Sequence, residues 1–175
     1  MNPPYSIVFL DRGTLPVALR APALPLQWQE HEATPPEQVV ERLANAEVAI
    51  SNKVPLMAAQ LAQLPRLKLI AVAATGTNNV DLDHCRAHGI AVCNVSGYST
   101  DSVAEHVFAL LLALRRQVHS YHADILAGGW QRSTHFALLN NPLTDLHGST
   151  LGIFGYGHIG QAVARIAEAF GMRVL

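Results

Sequence analysis

The chain predicts an α/β fold built on a parallel sheet, and three observations point to it. Short apolar runs alternate with segments whose apolar residues recur at helical spacing. The two kinds of segment take turns along the chain, which predicts a parallel sheet with helices on both faces. One run, residues 67–75 (LKLIAVAAT), is apolar at nearly every position, as a central strand buried on both faces should be.

The elements follow in order. Residues 6–10 (SIVFL) are the first expected strand, and 24–30 (LPLQWQE) a weaker second. Residues 34–46 (TPPEQVVERLANA) open on two prolines and carry Val39, Val40 and Leu43 at helical spacing, so a helix is expected. A strand follows over 47–51 (EVAIS), then a helix over 55–64 (PLMAAQLAQL) stopped by Pro65. After the central strand, 81–89 (DLDHCRAHG) predicts a short helix closed by Gly89. Residues 90–95 (IAVCNV) predict the next strand, with Cys93 buried in its packing.

After Gly97 the pattern changes. No breaker occurs from Ser99 until Gly128, so a long helix is expected, starting near Ser102. Ser102 and Glu105 stand at capping-box spacing, which accounts for Glu105 without a catalytic role. The first half of this helix is apolar nearly all round and is expected to be covered, between two domains or two subunits. Arg115 and Arg116 read as solvated or as a subunit contact. Residues 130–149 (WQRSTHFALLNNPLTDLHGS) read as a long loop or arm ending in a turn.

Composition bounds the function. Half of the 175 residues are apolar and 14% are charged, which supports a packed core and argues against disorder. Net charge is −1 with no run of like charge, so no nucleic-acid or membrane-surface partner is expected. The most apolar stretch, residues 107–114, falls far short of the ~20 residues needed to cross a bilayer. The N-terminal residues show no signal-peptide pattern. With two cysteines only, Cys85 and Cys93, reduced thiols in a cytoplasm are expected.

Chemistry concentrates in the last segment. GYGHIG places Gly155, Gly157 and Gly160 in a G-x-G-x-x-G pattern, with an apolar strand before it and a helix after it. Gly155 allows the tight turn. Gly157 lets the backbone approach a pyrophosphate, and Gly160 allows close helix–strand packing. Free N–H groups and the helix dipole then face the phosphates. The absence of Gly-Lys-Ser/Thr excludes a P-loop. The acidic residue that grips the ribose lies about 20 residues further on, at or just past Leu175, so NAD and NADP both stay open. His84 and His88 stand four apart on a helix, as a metal pair can. Their helix reads instead as amphipathic with both histidines outward, and no metal is expected. Asn78 and Asn79 read as turn residues.

Residues 150–174 around the glycine turn, AATGTNNVDL (73–82) and CNVSGYSTDSVAEHVFALLLALRR (93–116) together resemble the D-isomer-specific 2-hydroxyacid dehydrogenases. ISNKVPL (50–56) is similar to the glycerate dehydrogenase and hydroxypyruvate reductase branch. The resemblance implies a flavodoxin-like substrate domain over 1–97, completed by a returning C-terminal segment. Residues 98–175 would then hold the interdomain helix, the arm and the beginning of a Rossmann domain for NAD or NADP.

It also implies that N–H groups around Thr75 and Gly76 bind the substrate carboxylate. Asn52, Lys53 and Tyr98 would line the same pocket. Thr100 and Val103 would approach the nicotinamide, and Gly155, Tyr156, Gly157, His158, Ile159 and Gly160 the pyrophosphate. The family's proton-transferring histidine, its acidic partner and its arginine lie downstream of the glycine turn. This chain matches none of them, so no catalytic residue is assigned. It is expected to be an inactive fragment of an enzyme for a small 2-hydroxy or 2-oxo acid, and to form a homodimer through residues 102–147. The alternatives are a non-catalytic nucleotide-sensing or dimerisation module of the same superfamily, or a formate or phosphite dehydrogenase relative.

Overall fold

A computed structural model describes residues 4–20 and 22–175, and the chain divides into two compact units, Met1–Ser96 and Gly97–Leu175. The first three residues of the N-terminal stretch read for a signal segment lie outside the described residues.

The first unit is a five-stranded, wholly parallel sheet. Its strands are β1 (Tyr5–Phe9), β2 (Leu26–Glu30), β3 (Val48–Ser51), β4 (Leu69–Val72) and β5 (Ala91–Cys93), in the order β2-β1-β3-β4-β5. This is the flavodoxin-like order, with a topological switch at β1/β3. The expected alternation of strand and helix is borne out. Its helices α1 (Val39–Leu43), α2 (Ala58–Leu61) and α3 (Leu82–Ala87) are shorter than the expected segments. A 3₁₀ turn at Pro36–Gln38 leads into α1. Leu56 cannot join α2, because it is held extended in a parallel bridge to Val80. Its N–H donates to the Asn79 carbonyl at 2.7 Å, and its carbonyl accepts from Asp81 N–H at 3.0 Å.

Side chains alternate across the sheet. Val8, Leu10, Ala49, Ile70 and Val72 share one face and pack in a single buried core with Val39, Leu43, Leu61, Leu64 and Cys85. Helices α1, α2 and α3 thus all contribute to that face, which corrects the expectation of helices on both faces within this unit. On the other face Ile7, Ile50, Leu69 and Ala71 line an apolar groove of about 590 Å³, with Leu15, Leu19 and Leu24 from the segment joining β1 to β2. Cys93 lies in this groove and is exposed, not buried as expected, because the helices of its unit all pack on the opposite face.

The second unit holds α4 (Thr100–Arg115), α5 (Val118–Leu126), α6 (Gly129–Arg132), β6 (Thr150–Leu151), α7 (His158–Ala169) and β7 (Arg173–Val174). The two strands pair in parallel around α7, completing a strand–helix–strand unit. Ala104 and Phe108 of α4 pack on Ala162, Val163 and Ala167 of α7, and Phe108 stacks on Phe170 with centroids 5.4 Å apart.

The long helix differs from expectation in two ways. It begins at Thr100 after an Ser99 cap that makes no side-chain bond, so Ser102 and Glu105 lie inside the helix and form no capping box. It breaks at Gln117, the one described non-glycine residue with positive φ (51°). The arm supplies the reason: Thr144 N–H donates to the Arg115 carbonyl at 3.2 Å, drawing it from the helical ladder. Arg115 Nη2 reaches the Asp145 carbonyl at 2.7 Å and Arg116 pairs with the Asp145 carboxylate at 2.6 Å. Both arginines therefore tie down the arm of their own chain. On the same helix Leu110 and Leu114 are exposed in the single chain.

Candidate functional site

Parallel pairing of β3 with β4 brings the loops after them to the same sheet edge, where Ala73 N–H donates to the Ser51 carbonyl at 2.9 Å. The 73–77 loop is braced from the strand beside it. Thr75 Oγ1 donates to the Val95 carbonyl at 2.9 Å, and Asn94 Nδ2 donates to the Thr75 carbonyl at 2.7 Å. Those bonds consume the loop's carbonyl and hydroxyl but leave the Thr75 and Gly76 N–H groups without a backbone acceptor among the described residues. Both residues are exposed, so the two donors can receive a carboxylate. A Cβ on Gly76 would stand 3.1 Å from Asn78 Oδ1, and Asn79 Nδ2 donates to the Val54 carbonyl at 3.3 Å. Both asparagines shape the turn, as expected.

Asn52 and Lys53 follow β3 directly. Asn52 is half-buried and Lys53 is exposed, with no ion pair among the described residues. The sequence reading missed what holds them. Asp11, at the end of β1, is only 3% exposed, and its carboxylate accepts from the N–H groups of Asn52 (2.9 Å), Lys53 (2.6 Å) and Val54 (3.3 Å). The signal available was an acid ending an apolar strand, a poor place for an unsatisfied charge. Tyr98 belongs to the second unit, where it is exposed, so it is not brought into one unit with Asn52, Lys53, Thr75 and Gly76.

In the second unit the glycine turn runs from β6 into α7. Gly155 has φ +98°, which L side chains rarely adopt. A Cβ on Gly157 would meet nothing within 4 Å, so the space over that residue is open. A Cβ on Gly160 would collide with the Gly155 carbonyl oxygen and stand 3.4 Å from Ile153 Cγ2. The N–H groups from Gly155 to Gly160 have no backbone acceptor among the described residues. They stand at the mouth of a 12-residue helix whose dipole favours negative charge there. Gln161 Nε2 braces the turn through the Tyr156 carbonyl at 3.2 Å. Tyr156, His158 and Ile159 are exposed. Open space above Gly157 beside unspent donors fits a diphosphate, and so fits a dinucleotide. Thr100 and Val103 lie in the first turn of α4, in the same unit.

His84 and His88 stack with ring centroids 4.0 Å apart, and His88 Nδ1 lies 2.9 Å from the His84 carbonyl. Among the described residues no group of three or more His, Cys, Asp or Glu converges, and no helix is long and apolar enough to cross a membrane.

Comparison with known proteins identifies relatives along nearly the whole chain. Glycerate dehydrogenase of Methylorubrum extorquens is 48% identical over 170 residues, covering 97% of this chain and 54% of that protein. The NADPH-dependent glyoxylate/hydroxypyruvate reductase of Sinorhizobium meliloti, solved with NADP and malonate, matches with TM-score 0.72 and 25% identity, over 97% of this chain and 52% of that one. D-Lactate dehydrogenase from Aquifex aeolicus, solved with NAD and lactic acid, matches with TM-score 0.70 and 27% identity, over 96% and 50%. The chain spans about half the length of the relatives it matches. The profile of the D-isomer specific 2-hydroxyacid dehydrogenase catalytic domain matches residues 18–170, and the chain belongs to that family.

Proposed function

We propose that this chain forms the substrate-carboxylate and dinucleotide-diphosphate sites of an oxidoreductase acting on a small D-2-hydroxy acid or its 2-oxo partner, with glycerate and hydroxypyruvate the favoured pair. The observation that carries this reading is the row of unspent amides at the glycine turn, with open space over Gly157. When bound, NAD or NADP exchanges a hydride with C2 of the substrate. The chain's own residues do the rest of what is assigned here. Gly155, Tyr156, Gly157, His158, Ile159 and Gly160 hold the diphosphate, and Thr100 and Val103 approach the nicotinamide end. Thr75 and Gly76 N–H groups hold the substrate carboxylate, while Asn52 and Lys53 flank it. Choice between NAD and NADP stays open, as the NAD and NADP complexes of the two structural relatives illustrate.

No residue of this chain is assigned the proton transfer. The 175 residues alone are therefore expected to bind rather than turn over. An assay of hydroxypyruvate with NADH and with NADPH tests this: turnover within about a hundredfold of a full-length relative overturns it.

A second reading, a non-catalytic nucleotide-sensing or dimerisation module of the same superfamily, is favoured by the arm. Leu126, Trp130, Phe136 and Leu139 are all largely exposed there. We place a homodimer contact along residues 102–147, where a second copy would cover that apolar surface. Titration with NADH separates the readings: tight self-association without NADH binding favours the module.

A further inference from the structure

We propose that Asp11 is a positioning residue of the substrate pocket, filling an anion-binding nest so that the substrate carboxylate is directed to Thr75 and Gly76. This rests on the substrate site proposed above. Three consecutive N–H groups, those of Asn52, Lys53 and Val54, converge on one point beside the loop that carries Thr75 and Gly76. Such a concavity binds anions. Left open, it would compete for the very carboxylate the neighbouring loop is shaped to take.

Asp11 occupies it from within the chain. Its carboxylate is buried and pairs with no cation among the described residues, so the backbone amides alone compensate it. An acceptor-only group is required here, because an amide side chain would turn its own N–H toward one of the three donors.

The same corner sets the Asn52 side chain. Thr14 Oγ1 gives its single hydrogen to the Asp11 carbonyl at 2.7 Å, so at 2.9 Å from Asn52 Nδ2 it must accept. Asn52 Oδ1 is thereby turned away from Thr14 and left as a free acceptor. The two loops divide the work: 75–76 offers donors to the carboxylate, while 52–53 offers side chains.

The test is a titration of the ¹⁵N-labelled chain with hydroxypyruvate, read at the amides of 52–54 and 75–76. The wild type should respond at Thr75 and Gly76. Asp11→Asn should weaken binding about tenfold, the scale of one charged hydrogen bond, and speed hydrogen exchange at 52–54 while β3 and β4 stay protected. Asp11→Ala should let hydroxypyruvate perturb 52–54 as well, and added formate should reverse both effects by refilling the nest, which a merely structural role would not allow. An unchanged dissociation constant in Asp11→Asn overturns the proposal. Should neither Asp11 variant fold, Thr14→Val removes the tether on Asn52 together with the hydroxyl's bond to the Asp11 carbonyl and leaves the Asp11 carboxylate in place; binding about threefold weaker supports the proposal and unchanged binding overturns it. A wild-type chain whose 75–76 amides ignore hydroxypyruvate overturns the substrate reading itself, and the positioning role with it. Loss of exchange protection at 52–54 in Asp11→Asn would then mark Asp11 as a brace only.

Discussion

Gly160 stands so close to the carbonyl oxygen of Gly155 that no side chain fits between them. The obstacle is backbone, not the movable end of a side chain, so helix and turn would have to separate. Gly160→Ala is expected to destabilise the second unit by about 1–3 kcal/mol, the scale of overpacking, measurable as a lower urea midpoint.

Gly157 makes the opposite case. Its φ of −80° suits any residue, and an added Cβ meets nothing within 4 Å. Gly157→Ala should leave stability within about 0.5 kcal/mol of wild type while blocking the approach of the diphosphate. Calorimetric titration with NADH and thermal unfolding should therefore part company in this variant. Equal loss in both would show Gly157 to be structural.

His31 gives the fold a pH dependence. Burial, with the Arg42 charge second, holds its imidazole below the ordinary value of 6.5, and its Nε2 is buried without a partner among the described residues. A depressed folded value means the unfolded chain takes up the proton first. Stability from this source is complete above about pH 6.5 and is lost as pH falls through the folded value. Urea midpoints between pH 7 and 5 should fall less in His31→Gln than in the wild type.

The two thiols should react on different terms. Cys93 is exposed in the apolar groove, whereas Cys85 is buried and its thiol is pushed up by burial and by Asp81. Iodoacetamide at pH 8 should alkylate Cys93 in the native chain and reach Cys85 only after unfolding. Peptide mapping with and without urea reads the order.

Exposed Phe136, Leu139 and Leu126 predict self-association through the arm. Sedimentation should show a dimer at micromolar concentration, and Phe136→Ser combined with Leu139→Ser should shift it toward monomer. A stable wild-type monomer would count against this contact.

Much of this was legible in the residues. Alternation of apolar runs with helical spacing located the described strands within a few positions, most directly β4, whose residues are apolar at every position, and least directly β2, where glutamines alternate with apolar residues. The glycine turn was legible because each glycine answers a separate steric demand. What stayed hidden depends on partners distant in sequence. Leu56 looks helical until Val80 claims it as a bridge. The break at Gln117 requires Thr144 and Asp145, about thirty residues on, and no local signal marks it. Asp11 reads as one more acid until folding brings three amides around it, 41 to 43 residues away.

Gln117 has a mechanical consequence. No i→i−4 bond passes through its N–H, which instead turns back to the Leu114 carbonyl, and α5 starts afresh with Tyr121 N–H on the Gln117 carbonyl. The hydrogen-bond chain is therefore discontinuous at one residue, and α5 is held instead through the arm, where Tyr121 Oη donates to the Asn141 carbonyl at 2.9 Å and Asn141 Nδ2 donates to the Asp124 carboxylate at 3.1 Å. Hydrogen exchange should therefore rise together in α5 and the arm on warming, ahead of the part of α4 where Phe108 stacks on Phe170.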